Sequence, residues 1–321
     1  MRIPLVSIAG LAGGLACVGA GSSIAQDFPA KPIRLFTVAV GGGLDFSARL
    51  FVPALSASLG QTVVIENRGG GVTPIDIVAK APSDGYTVLY NSSSTWLLPY
   101  LQTKVSYDPV RDLVPVSILM TSPSVLVVHP SLPVKSVKDL IALAKARPGQ
   151  LNYAAGSTGS STHLSPELFK SMAAVDIAHI FYKSSGGSII DLLSGQVQIM
   201  FGSAGTLAPH MKAAKVRALA VTSAQPSELL PGLPTIAASG LPGYESVVSY
   251  GVFTPAKIAN AVVQRLHREF VQVIQRPEIK EKLLGAGIEP LGTTPQDAAA
   301  YIKADMAKWS KVIKEAGIKA E

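Results

Sequence analysis

Ile33-Arg34-Leu35-Phe36-Thr37-Val38-Ala39-Val40-Gly41-Gly42-Gly43-Leu44-Asp45 decides the fold class of this chain. Its first seven residues are rich in β-branched and aromatic side chains, the signature of a strand. From Asp45 to Leu59 the spacing predicts a helix. Three glycines join the two. They let the backbone approach a ligand closely, and the helix that follows opens with N–H groups that have no partner within it. A carboxylate or phosphate would suit such a junction.

The same alternation continues outward. Strands are expected at Thr62–Glu66, Thr87–Tyr90, Val116–Met120, Val125–His129, Leu151–Ala154, Ile177–Ile180, Val197–Phe201, Val216–Val221 and Val247–Phe253. Helices are expected at Val137–Arg147, Ser161–Met172, Ser188–Leu193 and Thr206–Ala213, then at Ile258–Ile274, Pro277–Leu284 and Pro295–Ala316. In the last helix Thr294 suits the N-cap, Pro295 the first position and Gly317 the stop, while Ile302, Met306, Trp309 and Ile313 form one apolar stripe. Strands alternating with helices imply an α/β architecture with largely parallel sheets, whose ligands bind at the carboxyl ends of strands.

Composition narrows the function classes. The 321 residues are 48% hydrophobic and 15% charged, which excludes a disordered chain. Residues 1–25 read as a secretory leader: Arg2, then an apolar run from Ile3 to Ala20, then Ser23-Ile24-Ala25 before Gln26. Cleavage after Ala25 is expected; a lipoprotein site at Cys17 is the lesser alternative, because Gly14 stands where such sites favour Leu. Cys17 is the sole cysteine, so cleavage leaves a chain without a thiol and lowers the net charge from +7 to +6. An exported, cysteine-free chain belongs in a periplasm. The five histidines, at 129, 163, 179, 210 and 267, have no metal-ligand spacing, and the basic residues form no cluster suited to nucleic acid. No metal, cofactor or nucleic-acid partner is expected.

Two further strand-to-helix junctions resemble the first in chemistry. Asn91-Ser92-Ser93-Ser94-Thr95 reads either as a polar pocket wall or as a capped turn. Gly156-Ser157-Thr158-Gly159-Ser160-Ser161-Thr162-His163 offers hydroxyls before a helix and so a second anion seat. Neither the dinucleotide glycine pattern, which Phe46 interrupts, nor a P-loop is present at the first junction. Asp45 suits a helix cap better than a catalytic acid. Serines near His163 leave a serine hydrolase as an alternative of a different class, although no nucleophile elbow accompanies them.

Ordered phrases along nearly the whole mature chain then carry a resemblance. Among them are Pro29-Ala30-Lys31-Pro32-Ile33, Gly41-Gly42-Gly43-Leu44-Asp45, Val64-Ile65-Glu66-Asn67-Arg68, Asp84-Gly85-Tyr86-Thr87 and Asp191-Leu192-Leu193-Ser194-Gly195. In their order and spacing the chain resembles the solute-binding proteins of tripartite tricarboxylate transporters, the Bordetella uptake gene family. The resemblance implies a two-lobed periplasmic binding protein of type II-like α/β fold, each lobe a mostly parallel sheet flanked by helices. Lobe 1 would comprise residues 26–121 with 250–321, and lobe 2 residues 122–249. The two hinge crossings would fall near Ser117–Val125 and Ser246–Phe253.

It also implies a non-enzymatic monomer that closes over a small organic carboxylate and delivers it to the transporter's membrane subunits. A ligand sensor that presents its closed form to a receptor is the alternative within that class. The resemblance and the three junctions together give the expected ligand-binding set: Val40, Gly41, Gly42, Gly43, Asp45 and Phe46; Asn91, Ser92, Ser93 and Ser94; Ser157, Thr158, Ser160, Thr162 and His163; and Ser203. Departures from the family pattern at Val40, Val72-Thr73, Gln198 and Gly202-Ser203 remove acidic and amide groups, a change that tilts the pocket towards an aromatic or less polar carboxylate.

Overall fold

Among the described residues the first element is β1 (Ile33–Thr37), followed by α1 (Gly43–Leu59), β2 (Val63–Asn67), α2 (Thr73–Ala79), β3 (Thr87–Ser92) and α3 (Ser94–Leu101). A computed structural model describes residues 28–318 apart from 42, 70, 103, 157–159, 183 and 184. The leader and its cleavage site therefore lie outside the described residues, as do Gly42, Ser157 and Thr158. β1 pairs in parallel with β2 on one side and β3 on the other, as α/β alternation requires.

The chain then runs through β4 (Leu113–Val128), a single strand of 16 residues where the sequence suggests two short ones. Beyond it come α4 (Val137–Ala146), β5 (Asn152–Ala155), α5 (Ser161–Ala173), β6 (Ala178–Phe181), α6 (Ser185–Ser194), β7 (Ile199–Ser203), α7 (Ala204–Lys212) and β8 (Arg217–Val221). β9 (Val247–Pro255) brings the chain back, and α8 (Asn260–Ile274), α9 (Pro277–Gly285), β10 (Glu289–Pro290) and α10 (Pro295–Glu315) complete the fold. The main sheet order is β2-β1-β3-β9-β4-β7-β5-β6, with β8 and β10 also paired to β4.

The α/β expectation holds, with one difference at the centre. Outer pairs such as β5–β6 and β5–β7 are parallel, whereas β9 is antiparallel to β3 and β4, and β4 is antiparallel to β7, β8 and β10. A chain that leaves the first strand group on β4 and returns on β9 must run those two strands in opposite directions. The partners of β4 change at Ser122-Pro123-Ser124. Residues up to Pro123 face β9, and residues from Ser124 face β7 and β8. Two register shifts at Pro115/Ser117 and Ile118/Met120 bend the strand, and Pro115 stands at the first, where a missing donor is tolerated.

The sequence pattern also misses α2, α3 and β10. Pro74 lies at the start of α2 and Pro99 inside α3, both helices are of eight residues or fewer, and β10 has only two residues. Elements this short carry too little periodicity to register.

Hydrophobic packing fixes the layers. Phe51 of α1, Phe270 of α8 and Tyr90 of β3 meet edge-on, with Phe51 centroids 5.2 Å from Tyr90 and 6.0 Å from Phe270. On the other face α10 packs against α3 and α5. Its N-cap is Thr294, whose hydroxyl accepts from the Asp297 amide at 3.1 Å, and Ile302, Trp309 and Ile313 are buried as their spacing suggests. Asp305 of this helix is buried between two indoles. Trp96 Nε1 donates to it at 2.9 Å, Trp309 Nε1 at 3.1 Å, and Lys308 Nζ is 2.8 Å away. Asp305→Ala would leave two buried donors without an acceptor. It should cost about 2–4 kcal/mol in urea unfolding, whereas Thr294→Ala should cost about 1 kcal/mol.

Candidate functional site

The glycine junction is braced from beneath by Asp45. This residue is 3% exposed; its Oδ2 accepts from the Gly41 amide at 3.0 Å and from Arg49 Nε at 3.1 Å, and its Oδ1 accepts from Asn67 Nδ2 at 3.0 Å. Arg49 Nη2 closes a second contact at 2.9 Å. Asn67 also donates to the Val38 carbonyl at 2.8 Å, so β2 is tied to the end of β1. The Arg49 hydrogen bond above all, opposed by burial, lowers the Asp45 carboxyl from 3.8 to about 2. Gly41 has φ +90°, a backbone conformation that a side chain would strain. Asp45 is therefore a neutralised internal brace, distinct from both the cap and the acid considered from sequence.

A cleft opens where the carboxyl ends of several strands meet the middle of β4 and β9. It holds two adjoining cavities that share Ser161 and Val248 as walls. The larger, about 470 Å³, is bounded by Ser92, Ser93 and Ser94 where β3 passes into α3, by Ser160 and Ser161 at the start of α5, and by leucines 97, 98, 101 and 164. The smaller, about 250 Å³, takes hydroxyls from Ser122, Ser124, Ser161, Thr162, Ser203 and Thr206, with Tyr250. Among the described residues neither lining includes a charged side chain. Helices α3, α5 and α7 all present their amino ends here, and the positive end of a helix dipole favours an anion.

Hydrogen bonding separates these three helix ends. At α3 the N-cap Ser93 makes no side-chain cap, but its amide donates to the Ser249 carbonyl at 2.8 Å and the first helical amide, Ser94 N, to Ser92 Oγ at 3.4 Å. At α7 the Ser203 hydroxyl accepts from the Thr206 amide. At α5 the N-cap Ser160 makes no side-chain cap, and its hydroxyl instead pairs with Thr162 Oγ1 at 3.0 Å. Thr162 Oγ1 in turn accepts from the Gly156 amide at 3.0 Å. The helix is anchored from behind, where Ser165 Oγ meets Ser246 Oγ at 2.7 Å and Tyr244 Oη donates to the Ser165 carbonyl at 2.9 Å. The uncapped end of α5 thus faces the junction of the two cavities on a fixed support.

The structure brings Ser92, Ser93, Ser94, Ser160, Thr162 and Ser203 together around the cleft. Gly43 joins through Tyr250, because a Cβ placed on that glycine would stand 3.7 Å from the Tyr250 hydroxyl. Val40 and Phe46 are exposed beside the glycine junction, and Gly41 and Asp45 engage each other; these four line neither cavity. Asn91 is fully buried, and its Nδ2 has no partner among the described residues. Asn91 and Ser92 end β3, and Ser94 and Thr95 open α3, so the expected five-residue polar loop shrinks to Ser93 between them.

His163 lies in the first turn of α5 with its ring stacked on His179, centroids 4.5 Å apart, and His179 stacks on Tyr153 at 5.1 Å. Burial lowers both histidines below the usual 6.5, which favours neutral rings. The nearby acid, Glu167, accepts from Tyr153 Oη at 2.6 Å and Lys170 Nζ at 2.7 Å. Ser122, Ser124, Thr206, Tyr250 and the four leucines are wall residues that the sequence did not reveal, whereas Ser161 falls within the expected Gly156–His163 seat. Ser122-Pro123-Ser124, a small polar interruption within the apolar run of β4, was the one available signal.

Residues 47–318 match the family model described as the tripartite tricarboxylate transporter family receptor. A Pseudomonas sp. protein from the tcbD–tcbE intergenic region is 38% identical over 95% of this chain and 93% of its own. BugT of Bordetella pertussis is 34% identical over 95% of each chain. Among solved structures, an R. palustris protein with adipate matches at TM-score 0.71 and 37% identity, covering 91% of this chain and 99% of that one. The periplasmic binding protein BugD matches at TM-score 0.68 and 28% identity, covering 92% and 100%. The fold is therefore that of the periplasmic binding proteins.

The brace at Asp45 gives a pH dependence with a definite sign. A folded-state carboxyl at about 2, against 3.8 ordinarily, adds stability that is fully present above about pH 4 and is lost as pH falls through 2. Urea unfolding should show Asp45→Asn less stable than the parent at pH 7. The difference should shrink as pH falls from 4 towards 2.

Proposed function

Because the chain belongs to the tripartite tricarboxylate transporter family receptors, we propose that it captures a small organic carboxylate in the cleft and presents it to the membrane subunits of such a transporter. The observation that carries this reading is the uncharged, hydroxyl-rich cleft onto which the amino ends of α3, α5 and α7 open. Serine and threonine hydroxyls, free backbone amides and helix dipoles can hold a carboxylate without an arginine. The family and its structural neighbours are solute-binding proteins, and adipate in the R. palustris relative fits the same chemistry.

In this reading residues 26–121 with 250–321 form one lobe and 122–249 the other, hinged where β4 and β9 pass between the strand groups. Contacts from both lobes to one ligand favour the closed form by its differential affinity for that state. Among the described residues no helix is long and apolar enough to cross a membrane. Export by the leader, cleavage after Ala25 and residence in the periplasm complete the proposal.

Calorimetry and thermal unfolding against a panel of aliphatic and aromatic carboxylates, adipate among them, test it. A true ligand at 100 times its Kd should add roughly 2.7 kcal/mol of stability. Ser161→Asp keeps a residue favoured in the first turn of a helix but sets a negative charge between the cavities. It should weaken the bound carboxylate roughly 100-fold, a loss well inside the few kcal/mol that two like charges at contact represent. Ser161→Asn should bind nearly as the parent does. Full affinity in Ser161→Asp would remove the cleft from the function.

A further inference from the structure

The two cavities differ in chemistry, and the difference specifies the ligand more narrowly than its carboxylate. Resting on the carboxylate-capture reading, we infer that the ligand is amphipathic: one carboxylate at the amino end of α5, and an aliphatic or aromatic body in the leucine-lined cavity. The smaller cavity is walled mostly by hydroxyls, whereas the larger has Leu97, Leu98, Leu101 and Leu164 behind its serine rim. At about 470 Å³ the larger cavity has the size of a small-molecule site.

Charge has one favourable seat at this junction. On the rim of the larger cavity the N-cap amide of Ser93 and the first amide of α3, Ser94, already donate to Ser249 and Ser92, while the Ser161 and Thr162 amides of α5 have no acceptor among the described residues. No lysine or arginine lines the larger cavity among the described residues, so a second carboxylate pushed against its leucines would be desolvated without a cationic partner. A methylene chain or ring placed there gains from leaving water instead. A compact tricarboxylate matches neither wall. A ligand of this kind differs from the adipate of the R. palustris relative, which is charged at both ends.

The test is a homologous series titrated by calorimetry: acetate, butyrate, hexanoate and octanoate, with phenylacetate, adipate and citrate alongside. Each methylene seated among the leucines should tighten binding about fourfold, equivalent to 0.8 kcal/mol, until the cavity is full. Hexanoate or phenylacetate should then bind more tightly than adipate and citrate. Leu98→Asn and Leu101→Asn should flatten the series; the slope on the parent protein decides the matter if either variant folds poorly. A flat series in which adipate or citrate binds most tightly overturns the inference and leaves carboxylate capture standing. Binding of no carboxylate at all overturns both.

Discussion

A strand that changes partners about two-thirds of the way along its length governs this molecule. β4 hydrogen-bonds to β9 as far as Pro123 and to β7 and β8 from Ser124, so one continuous backbone belongs to both strand groups. β9 must run back beside it, and the loop that precedes β9 fastens α5 through Tyr244, Ser246 and Ser165. The smaller cavity borders both strands, through Ser122, Pro123 and Ser124 of β4 and Val248 and Tyr250 of β9, and the larger borders β9 through Val247 and Val248. The same residues that let the backbone pass between groups also wall the cleft. Side chains there have to be small, because two strand groups and the helix ends converge on them.

The electrostatics follow from where charge has been neutralised. Asp45, an acid beside the glycine junction, is satisfied by Gly41, Arg49 and Asn67, and its charge is spent within the scaffold. Glu167, on α5 itself, is held by Tyr153 and Lys170. Burial keeps His163 and His179 towards their neutral forms, so no titrating imidazole competes with the helix end near neutral pH. What remains in the cleft is a field of hydroxyls and helix termini, weakly positive without a formal charge. The net +7 of the chain, dispersed over its surface, supplies at most a mild bias towards anions.

The sequence made the scaffold legible where local signals are strong. β1, the helix after its glycines, and the last helix with Thr294, Pro295 and its buried stripe follow from strand composition, capping chemistry and 3.6-residue periodicity. The serine run at the start of α3 stood out as a pocket wall or a capped turn, the hydroxyls at the start of α5 as an anion seat, and Ser203 entered through the resemblance. Tyr250 and the leucines of α3 were not visible. Their role depends on β4 and β9 lying side by side, a pairing of segments more than a hundred residues apart that local periodicity cannot reveal. Asp45 illustrates the same gap: its partner Arg49 is one helical turn away and readable, but Asn67 comes from a different strand.

The central claim is that the uncapped end of α5 receives a carboxylate. Amide chemical shifts in a ¹⁵N-labelled protein, followed through a titration with the tightest carboxylate found, test it most directly. The account predicts that the Ser161 and Thr162 amides move furthest and downfield, as donors do when an anion arrives, while those of Ser93 and Ser94, already engaged within the protein, move little. Saturable binding that leaves the Ser161 and Thr162 amides unmoved would contradict it.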